Sequence, residues 1–298
     1  MPAIADHVID YIPRYRYPNP GTRMICYVCR APTKANSKYC SLHGQIIVGF
    51  AEQGARARAF RRAFEKKTGA ILCHYTGQPL DLTDPDDPWY ATCDHKIPGK
   101  KGGLVACAAW VNRMKTQLSE SEFGRIIRAL ADGTFTSTTI KFRYWLPVVL
   151  LKMAPVPLPT VPAPHFCNVC DKKCDPSIYC PRCRRLIFSH PSDHVLLART
   201  LKAAYVKDRD AFVCQYTKII LDPSNNKSPF FPVYDHRIPR KEGDLALCAA
   251  FVNAMKGSLS DVEFFAAVKE LARHFAGAPF DRDAVTFRYW TKEVGAIG

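Results

Sequence analysis

The apolar residues of this chain fall into short segments that predict strands and helices. A β-rich segment ends in Asp94-His95 and is followed by a turn rich in glycine and lysine, which is typical of one arm of a hairpin. Leu104 to Cys107 is predicted to be the returning arm. Ala108 to Leu118 contains good helix formers and no breaker, so it predicts a helix that carries Asn112. The pattern therefore predicts a β-β-α unit.

The same unit occurs a second time, at a constant offset of 141 positions (235 − 94). Its polar residues are Asp235, His236 and Asn253, in the places of Asp94, His95 and Asn112. The length of 298 residues allows one large domain or two medium ones, and the repeat decides for two. Because the three side chains keep their spacing in both copies, we expect them to act together.

Three regions are predicted from this repeat. Residues 1–153 contain the first unit and residues 165–298 contain the second. Residues 154–164 between them are rich in proline, which favours an extended, semi-rigid polyproline II spacer. The fold class predicted is α+β.

The charge of the chain indicates a polyanionic partner. Lys and Arg number 42 against 27 Asp and Glu, which gives a net charge of +15 and a pI near 9.3. Such a surplus fits nucleic acid or an acidic membrane surface. No apolar run reaches transmembrane length and no signal peptide is evident. We therefore expect a nucleic acid as the partner and no membrane. The expected location is the cytoplasm or, in a eukaryotic host, the nucleus, with no secretion.

Each half contains two pairs of Cys or His residues, with two residues between the members of a pair and a short turn-rich stretch between the pairs. This spacing predicts a four-ligand zinc site. The first set is Cys26, Cys29, Cys40 and His43, and the second set is Cys167, Cys170, Cys180 and Cys183. The exchange of His43 for a cysteine keeps the spacing and suits zinc, since imidazole and thiolate are both ligands. Cys174 is an additional cysteine that can replace one of the four zinc ligands of the second set. The alternative is a set of buried or reactive free cysteines. Both zinc sites are expected to be structural.

The repeated Asp, His and Asn have the chemistry of a hydrolytic site. Carboxylate and amide oxygens are ligands that a hard cation such as Mg²⁺ prefers. A neighbouring imidazole can act as a general base on water. One metal ion, one base and a surrounding excess of Lys and Arg suit the hydrolysis of a phosphodiester.

Residues Cys73 to Phe123 and Cys214 to Phe264 resemble the HNH (ββα-metal) nuclease superfamily, particularly its phage-type members. The resemblance is carried by Asp-His, Pro and Gly, a short strand, Asn-x-Met-Lys, Leu-Ser and a helix with Glu-Phe. It implies two tandem ββα-metal modules, each with a small zinc-binding subdomain. It also implies metal binding by Asp94, Asn112, Asp235 and Asn253, and general-base roles for His95 and His236. Many members have a further Asn between the His and the helix, which braces the loop. Neither copy has one, so the loop must be braced differently here.

From the resemblance we expect a site-specific double-strand DNA endonuclease of homing or restriction type, a monomer that acts as a pseudo-dimer and leaves 5′-phosphate and 3′-hydroxyl ends. Each module would cut one strand. The alternatives are a zinc-stabilised DNA- or RNA-binding protein with little or no cleavage, and a nuclease selective for branched DNA or RNA.

Fourteen cationic residues are candidate phosphate contacts, some on two predicted basic helices (Ala51 to Lys67 and His194 to Lys207) and some near the Asp-His pairs. Solvated surface positions are the alternative for these residues. The candidates are Arg58, Arg61, Arg62, Lys96, Lys100, Lys101, Arg113, Lys115, Arg199, Lys202, Arg237, Arg240, Lys241 and Lys256.

Two further patterns predict local structure. In each half a Ser followed three residues later by Glu predicts a capping box, at Ser119 and at Ser260. Each half then ends in Phe-Arg-Tyr-Trp, which we expect to pack under the helices rather than to stack on bases. Gly77 suits a turn with positive φ but Lys218, its counterpart, does not, so the second turn is expected to differ.

Overall fold

A computed structural model describes residues 24–34, 37–138, 140–145, 165–174, 177–190 and 193–290. The proline-rich segment predicted at 154–164 lies outside these ranges. The described residues form short helices and two-stranded sheets, which agrees with the α+β prediction. None of the described helices has the length and apolarity of a membrane span.

From the first helix of each half onward, the α-helices and strands follow one another in the same order, and the second half also has a hairpin before its first helix and a 3-10 turn between two strands. In the first half they are α1 (Ser41–Ile47), α2 (Gln53–Ala63), β1 (Phe64–Glu65), β2 (Ala70–Ile71), β3 (Ala91–His95), β4 (Leu104–Ala108), α3 (Ala109–Lys115) and α4 (Glu120–Ala131). In the second half they are β5 (His165–Phe166), β6 (Lys173–Cys174), α5 (Pro181–Ile187), α6 (His194–Ala203), β7 (Tyr205–Val206), a 3-10 turn (Lys207–Arg209), β8 (Ala211–Phe212), β9 (Pro232–His236), β10 (Leu245–Ala249), α7 (Ala250–Lys256) and α8 (Asp261–Phe275).

Both predicted hairpins are present and have the same register. Strands β3 and β4 pair antiparallel with Asp94 opposite Val105, and β9 and β10 pair with Asp235 opposite Ala246. The helix after each hairpin begins at the residue that follows the second strand, at Ala109 and Ala250. The chain therefore passes from strand to helix without a loop, which fixes the helix relative to the hairpin.

The predicted capping boxes start α4 and α8. Ser119 accepts a hydrogen bond from the Glu122 N–H while the Glu122 carboxylate accepts one from the Ser119 N–H, and Ser260 and Glu263 repeat the arrangement. These pairs satisfy N–H groups that the first turn of a helix leaves free. Helices α4 and α8 pack against each other, and α3 packs against α7, so the two halves meet along their helices.

The tail of each half packs on the opposite half. Phe142 of the first half lies with its ring centroid 4.9 Å from that of Phe251 in α7. Phe287 of the second half lies 5.3 Å from Trp110 in α3 and 6.2 Å from Trp89. These tails were predicted to pack under helices, and the structure adds that the exchange is reciprocal. Each half therefore supplies an apolar side chain to the core of the other.

Two local predictions need correction. The basic helices are shorter than predicted, since α2 ends at Ala63 and α6 ends at Ala203. In both places a short strand follows. The second turn does not differ from the first, because Lys218 has φ +60° and Gly77 has φ +68°. Lys218 N–H donates to Cys214 O at 2.8 Å as Gly77 N–H donates to Cys73 O, so the shared hydrogen bond accompanies the shared backbone geometry.

Candidate active sites and metal clusters

The first cysteine cluster has the geometry of a four-ligand metal site. The ligand atoms of Cys26, Cys29, Cys40 and His43 all lie within 4.8 Å of one another. The His43 Nδ1 atom is 2.9 Å from the Cys40 sulfur and 3.5 Å from the Cys26 sulfur. Burial lowers the pKa of His43, which favours the neutral imidazole that binds a metal. This cluster can hold a zinc ion.

The second cluster contains four buried thiols, Cys167, Cys170, Cys180 and Cys183. The Cys170 sulfur is 3.6 Å from those of both Cys180 and Cys183, close to the separation of roughly 3.8 Å that tetrahedral Zn–S bonds require. Burial raises the pKa of Cys167, but backbone N–H groups outweigh burial and bring it to about 7. The thiolate that zinc needs is therefore favoured at Cys167, whereas burial raises the pKa of Cys170 and Cys183.

Cys174 lies outside this set of four. Its thiol donates a hydrogen bond to the carbonyl oxygen of Ser177 at 2.9 Å. All thirteen cysteines of the chain are free of disulfide bonds. Among the cysteines outside the clusters, Cys73, Cys107, Cys214 and Cys248 are buried, as expected for core residues.

The first Asp-His-Asn trio lies around one open cleft. Asp94 and His95 at the end of β3 and Asn112 in α3 all line this cleft, whose volume is about 580 Å³. The hairpin and the helix that follows it directly bring the three residues together, although 17 positions (112 − 95) separate His95 from Asn112. Their grouping agrees with the sequence prediction for these three residues.

A buried lysine and a tyrosine hold the carboxylate of Asp94. The Lys115 ammonium donates to Asp94 Oδ1 at 3.1 Å, and the Tyr75 hydroxyl donates to Asp94 Oδ2 at 2.5 Å. Lys115 also donates to the carbonyl oxygen of His95 at 2.9 Å. Burial and the neighbouring carboxylate raise the pKa of Tyr75, so its hydroxyl stays a donor. This network fixes both the carboxylate and the backbone that carries the imidazole.

The second trio has the same network. Lys256 lies 3.0 Å from Asp235 and donates to the carbonyl oxygen of His236 at 2.8 Å. The Tyr216 hydroxyl oxygen lies 2.6 Å from an oxygen of Asp235 and 2.7 Å from an oxygen of Asp261, so its single proton is shared between the two carboxyl groups. Burial raises the pKa of the Asp235 carboxyl, and the Lys256 ammonium opposes this shift. The pairing of aspartate, lysine and tyrosine is thus a property of both halves.

The loop after each histidine is braced by the next helix. The Glu120 N–H donates to Lys96 O at 2.8 Å, and the two side chains form an ion pair at 3.2 Å. In the second half the Asp261 N–H donates to Arg237 O at 2.8 Å, and the two side chains pair at 3.0 Å. These contacts hold the loop after each histidine without an asparagine.

The surroundings of the two histidines differ. His95 Nε2 lies 3.3 Å from Glu52 Oε2, and both side chains are more than a third exposed. In the second half the residue at the position of Glu52 is Asp193, whose carboxylate caps α6 by accepting from the Val195 N–H at 2.9 Å. His236 instead lies near His190, and burial together with His236 lowers the pKa of His190. The two sites are therefore not equivalent.

The residues of the first trio fit a hard cation. Asn112 donates its amide N–H groups to Thr92 Oγ1 at 3.3 Å and to Cys93 O at 3.4 Å, which leaves its carbonyl oxygen as a ligand atom. A carboxylate has about four acceptor positions, so Asp94 keeps some beyond those used by Lys115 and Tyr75. Because Lys115 neutralises the carboxylate, a bound phosphate would have to add the negative charge that favours the cation.

Two of the predicted phosphate contacts are buried. The side chains of Lys115 and Lys256 are 0% exposed, so their ammonium groups cannot meet a phosphate at the surface, and this part of the prediction is wrong. Both lysines are held inside by their aspartate partners.

Other predicted phosphate contacts are engaged within the protein or open to solvent. Arg113 lies over the ring of Trp290 at 4.1 Å, and Arg61 over that of Tyr27 at 4.7 Å. Arg62 donates to Leu104 O at 2.9 Å, and Arg58 is half-buried. The exposed candidates are Arg61, Arg62, Lys100, Lys101, Arg199, Lys202, Arg240 and Lys241.

Sequence reasoning missed the residues that hold the two trios. Tyr75 and Tyr216 occupy the same place in the two repeats, and this repetition was the available signal. Glu120 and Asp261 also occupy equivalent places, but one is a glutamate and the other an aspartate, so the sequence does not show that both brace the loop after the histidine. Glu52 carries no signal, because it lies 43 residues from His95 and its counterpart Asp193 caps α6 instead.

Comparison of the chain with protein-family models, with curated proteins and with solved structures found no match. The resemblance to HNH nucleases therefore rests on the sequence motifs of the two β-β-α units alone.

Proposed function

We propose that this protein is a metal-dependent DNA endonuclease of the HNH type with two active sites, each of which cuts one strand of a duplex. The observation that carries the proposal is the cleft that gathers Asp94, His95 and Asn112 at the junction of hairpin and helix. The second half repeats the hairpin, the helix and the three residues at the same offset. Two sites in one chain suit the two strands of DNA.

The proposed reaction is the hydrolysis of a phosphodiester. The imidazole of His95 takes a proton from a water molecule, which attacks phosphorus in line with the leaving 3′ oxygen. Lys115 and the loop bracing hold the imidazole backbone in place during this step. A divalent cation held by Asp94 and Asn112 would stabilise the charge on the phosphate and on the departing oxygen. His236, Asp235 and Asn253 have the equivalent roles in the second half.

The zinc clusters have a structural role in this proposal. Each is a closed set of four protein ligands, which leaves no position for a substrate. The positive charge of the chain, +15, supports binding to a polyanion.

A plasmid assay tests the proposal. We expect the protein to convert supercoiled plasmid into nicked and linear forms with Mg²⁺ or Mn²⁺, and not when neither metal ion is added. The variant that carries both His95→Ala and His236→Ala is the matched control and should be inactive. Intact plasmid after incubation of folded, zinc-loaded protein with either metal ion would contradict the proposal.

One observation favours a second candidate, a zinc-stabilised nucleic-acid-binding protein without cleavage. In both halves the carboxylate proposed to bind the cation is already paired with a buried lysine. The two candidates separate in the same assay, since the second predicts a shift of DNA mobility with no change in topology.

A further inference from the structure

The tail of the first half forms one wall of the first cleft. Arg143, Tyr144 and Trp145 line the same cleft as Asp94 and His95. These tail residues lie outside the stretch that resembles HNH nucleases, which ends at Phe123. These residues are therefore part of the site because they line the cleft, although they are not part of the sequence motif.

The backbone of this wall is fixed at two points. The Phe142 side chain is buried against the rings of Phe230 and Phe251 of the second half. The Arg143 N–H donates to Glu122 Oε1 at 3.1 Å, and Glu122 is itself buried at the start of α4. The segment is therefore a fixed part of the cleft, and the side chains that follow Phe142 project from a defined backbone.

Neither the Arg143 guanidinium nor the Tyr144 ring makes an ion pair, side-chain hydrogen bond or ring contact within the described part of the chain. Arg143 is exposed, and its guanidinium makes no ion pair or hydrogen bond with the residues that the structure describes. Other arginines of the chain are paired, as Arg237 is with Asp261 at 3.0 Å. Tyr144 is half-buried, and its ring makes no aromatic contact with the described residues. Phe142 already provides the anchor that packing of the tail requires.

The geometry points to Arg143 and Tyr144 as the residues that hold a nucleic-acid strand at the first site. The guanidinium of Arg143 binds a backbone phosphate next to the scissile one, and the ring of Tyr144 stacks on a neighbouring base. This assignment rests on the proposed function, because it places the strand beside His95. Arg288 and Tyr289 hold the equivalent positions in the second tail, where Arg288 donates its N–H to Glu263.

The two contacts have different physical signatures. A phosphate contact releases counterions, so its loss lowers the dependence of binding on salt by about 0.7 in the slope of log K against log [salt] for a single strand. A stacking contact releases none, and its loss weakens binding by about fivefold or more at every salt concentration. The two residues can therefore be tested separately.

The experiment measures binding of the full, zinc-loaded chain to a fluorescein-labelled single strand of 20 nucleotides by anisotropy, without added Mg²⁺ or Mn²⁺ and at several KCl concentrations. We expect Arg143→Gln to weaken binding and lower the salt slope, and Tyr144→Ala to weaken binding with the slope unchanged. Tyr144→Phe should bind like the original protein because it keeps the ring. Lys141→Gln removes an exposed charge two residues from Arg143, outside the residues that line the cleft, and is the matched control.

Three outcomes would overturn the assignment: wild-type binding by both Arg143→Gln and Tyr144→Ala, an equal loss in Lys141→Gln, or a loss in Tyr144→Phe as large as in Tyr144→Ala. Melting temperature and zinc content verify that each variant is folded. Because no Mg²⁺ or Mn²⁺ is added, the assay measures binding whether or not the protein can cut DNA. A failure of the nuclease proposal therefore appears in the plasmid assay, and a failure of this assignment appears in the anisotropy.

Discussion

The ammonium group of Lys115 lies 3.1 Å from the carboxylate of Asp94, with both side chains buried. Removing the lysine would leave a buried carboxylate without its counter-charge. We expect Lys115→Met to lower the free energy of unfolding by about 3–5 kcal/mol. Urea denaturation monitored by circular dichroism measures this change.

Two controls accompany the Lys115 variant. Lys100→Met removes an exposed lysine and should change the free energy of unfolding by less than about 0.5 kcal/mol. Adding Asp94→Asn to Lys115→Met removes the unpaired charge and should recover part of the stability. Equal stability of Lys115→Met and the original protein would mean that the buried pair does not stabilise the fold.

Single histidine variants should separate the two strands. If each half cuts one strand, His95→Ala and His236→Ala each leave an enzyme that nicks, and each nicks a different strand. Strand-specific end labelling of a linear duplex followed by denaturing electrophoresis identifies the strand. His165→Ala, in β5 and away from both trios, is the control. Double-strand breaks at the original rate in either single variant would rule out two-site cleavage.

The cysteine clusters predict two zinc ions per chain. Cys26→Ser and Cys167→Ser should each remove one ion and lower the melting temperature, because binding of a structural zinc ion contributes to the free energy of folding. Atomic absorption of the purified protein measures the metal content.

Cys174→Ser is the matched control for the second cluster, since this thiol lies outside the four ligands and bonds to Ser177 O. It should retain both zinc ions. A loss of one ion in this variant would place Cys174 among the ligands instead.

The exchanged tails predict an effect on the half opposite to the one that is changed. Phe142→Ala removes a ring that packs on Phe251, so amides of α7 should exchange hydrogen faster while those of α3 are less affected. Phe287→Ala should have the reverse pattern, because Phe287 packs on Trp110 in α3. Hydrogen exchange measured by mass spectrometry compares the two helices. Faster exchange confined to the half that carries the substitution would contradict the exchange of tails.

The repeated hairpins and capped helices could be predicted because their signals are local. Ser119 and Glu122 lie one helical turn apart, and Asp94 is followed at once by His95 and a turn. The partner of each tail could not be predicted, since both halves end in the same four residues and either half could receive either tail. The burial of Lys115 could not be predicted either. A lysine near other basic residues is expected at the surface, and its partner Asp94 lies far away in the sequence.

The turn at Lys218 shows a different reason for failure. A positive φ is rare for lysine, so its residue type argued against the geometry that Gly77 adopts. The long-range pairing of the hairpin and helix around the turn is the same in both halves, and it imposes the same backbone. The tertiary context therefore overrides the local preference at this position.

Glu122 predicts a dependence of stability on pH. Burial raises its pKa, but hydrogen bonds from Ser119 and from the Arg143 N–H outweigh burial and lower the pKa below the ordinary value of 4.5. A carboxyl with a lowered pKa in the folded state contributes stability above its ordinary pKa and loses it as the pH falls through the folded value. We therefore expect Glu122→Gln to show a smaller drop in melting temperature than the original protein between about pH 6 and pH 3.

Scanning calorimetry across this range measures the difference in acid sensitivity. Glu242→Gln, at an exposed position, is the control and should keep the original profile. An unchanged acid sensitivity in Glu122→Gln would show that other carboxyl groups are responsible for it.

The exchanged tails also bear on how the chain is synthesised. Trp89 and Trp110 are covered by Phe280 and Phe287, which leave the ribosome about 170 residues after Trp110 (280 − 110). At a synthesis rate of roughly 5–20 residues per second, the first half waits on the order of 10–30 s with these indole rings uncovered. During that interval the nascent chain presents a surface on which a chaperone can bind, and the order of translation rather than the strength of local folding decides when the first half is completed.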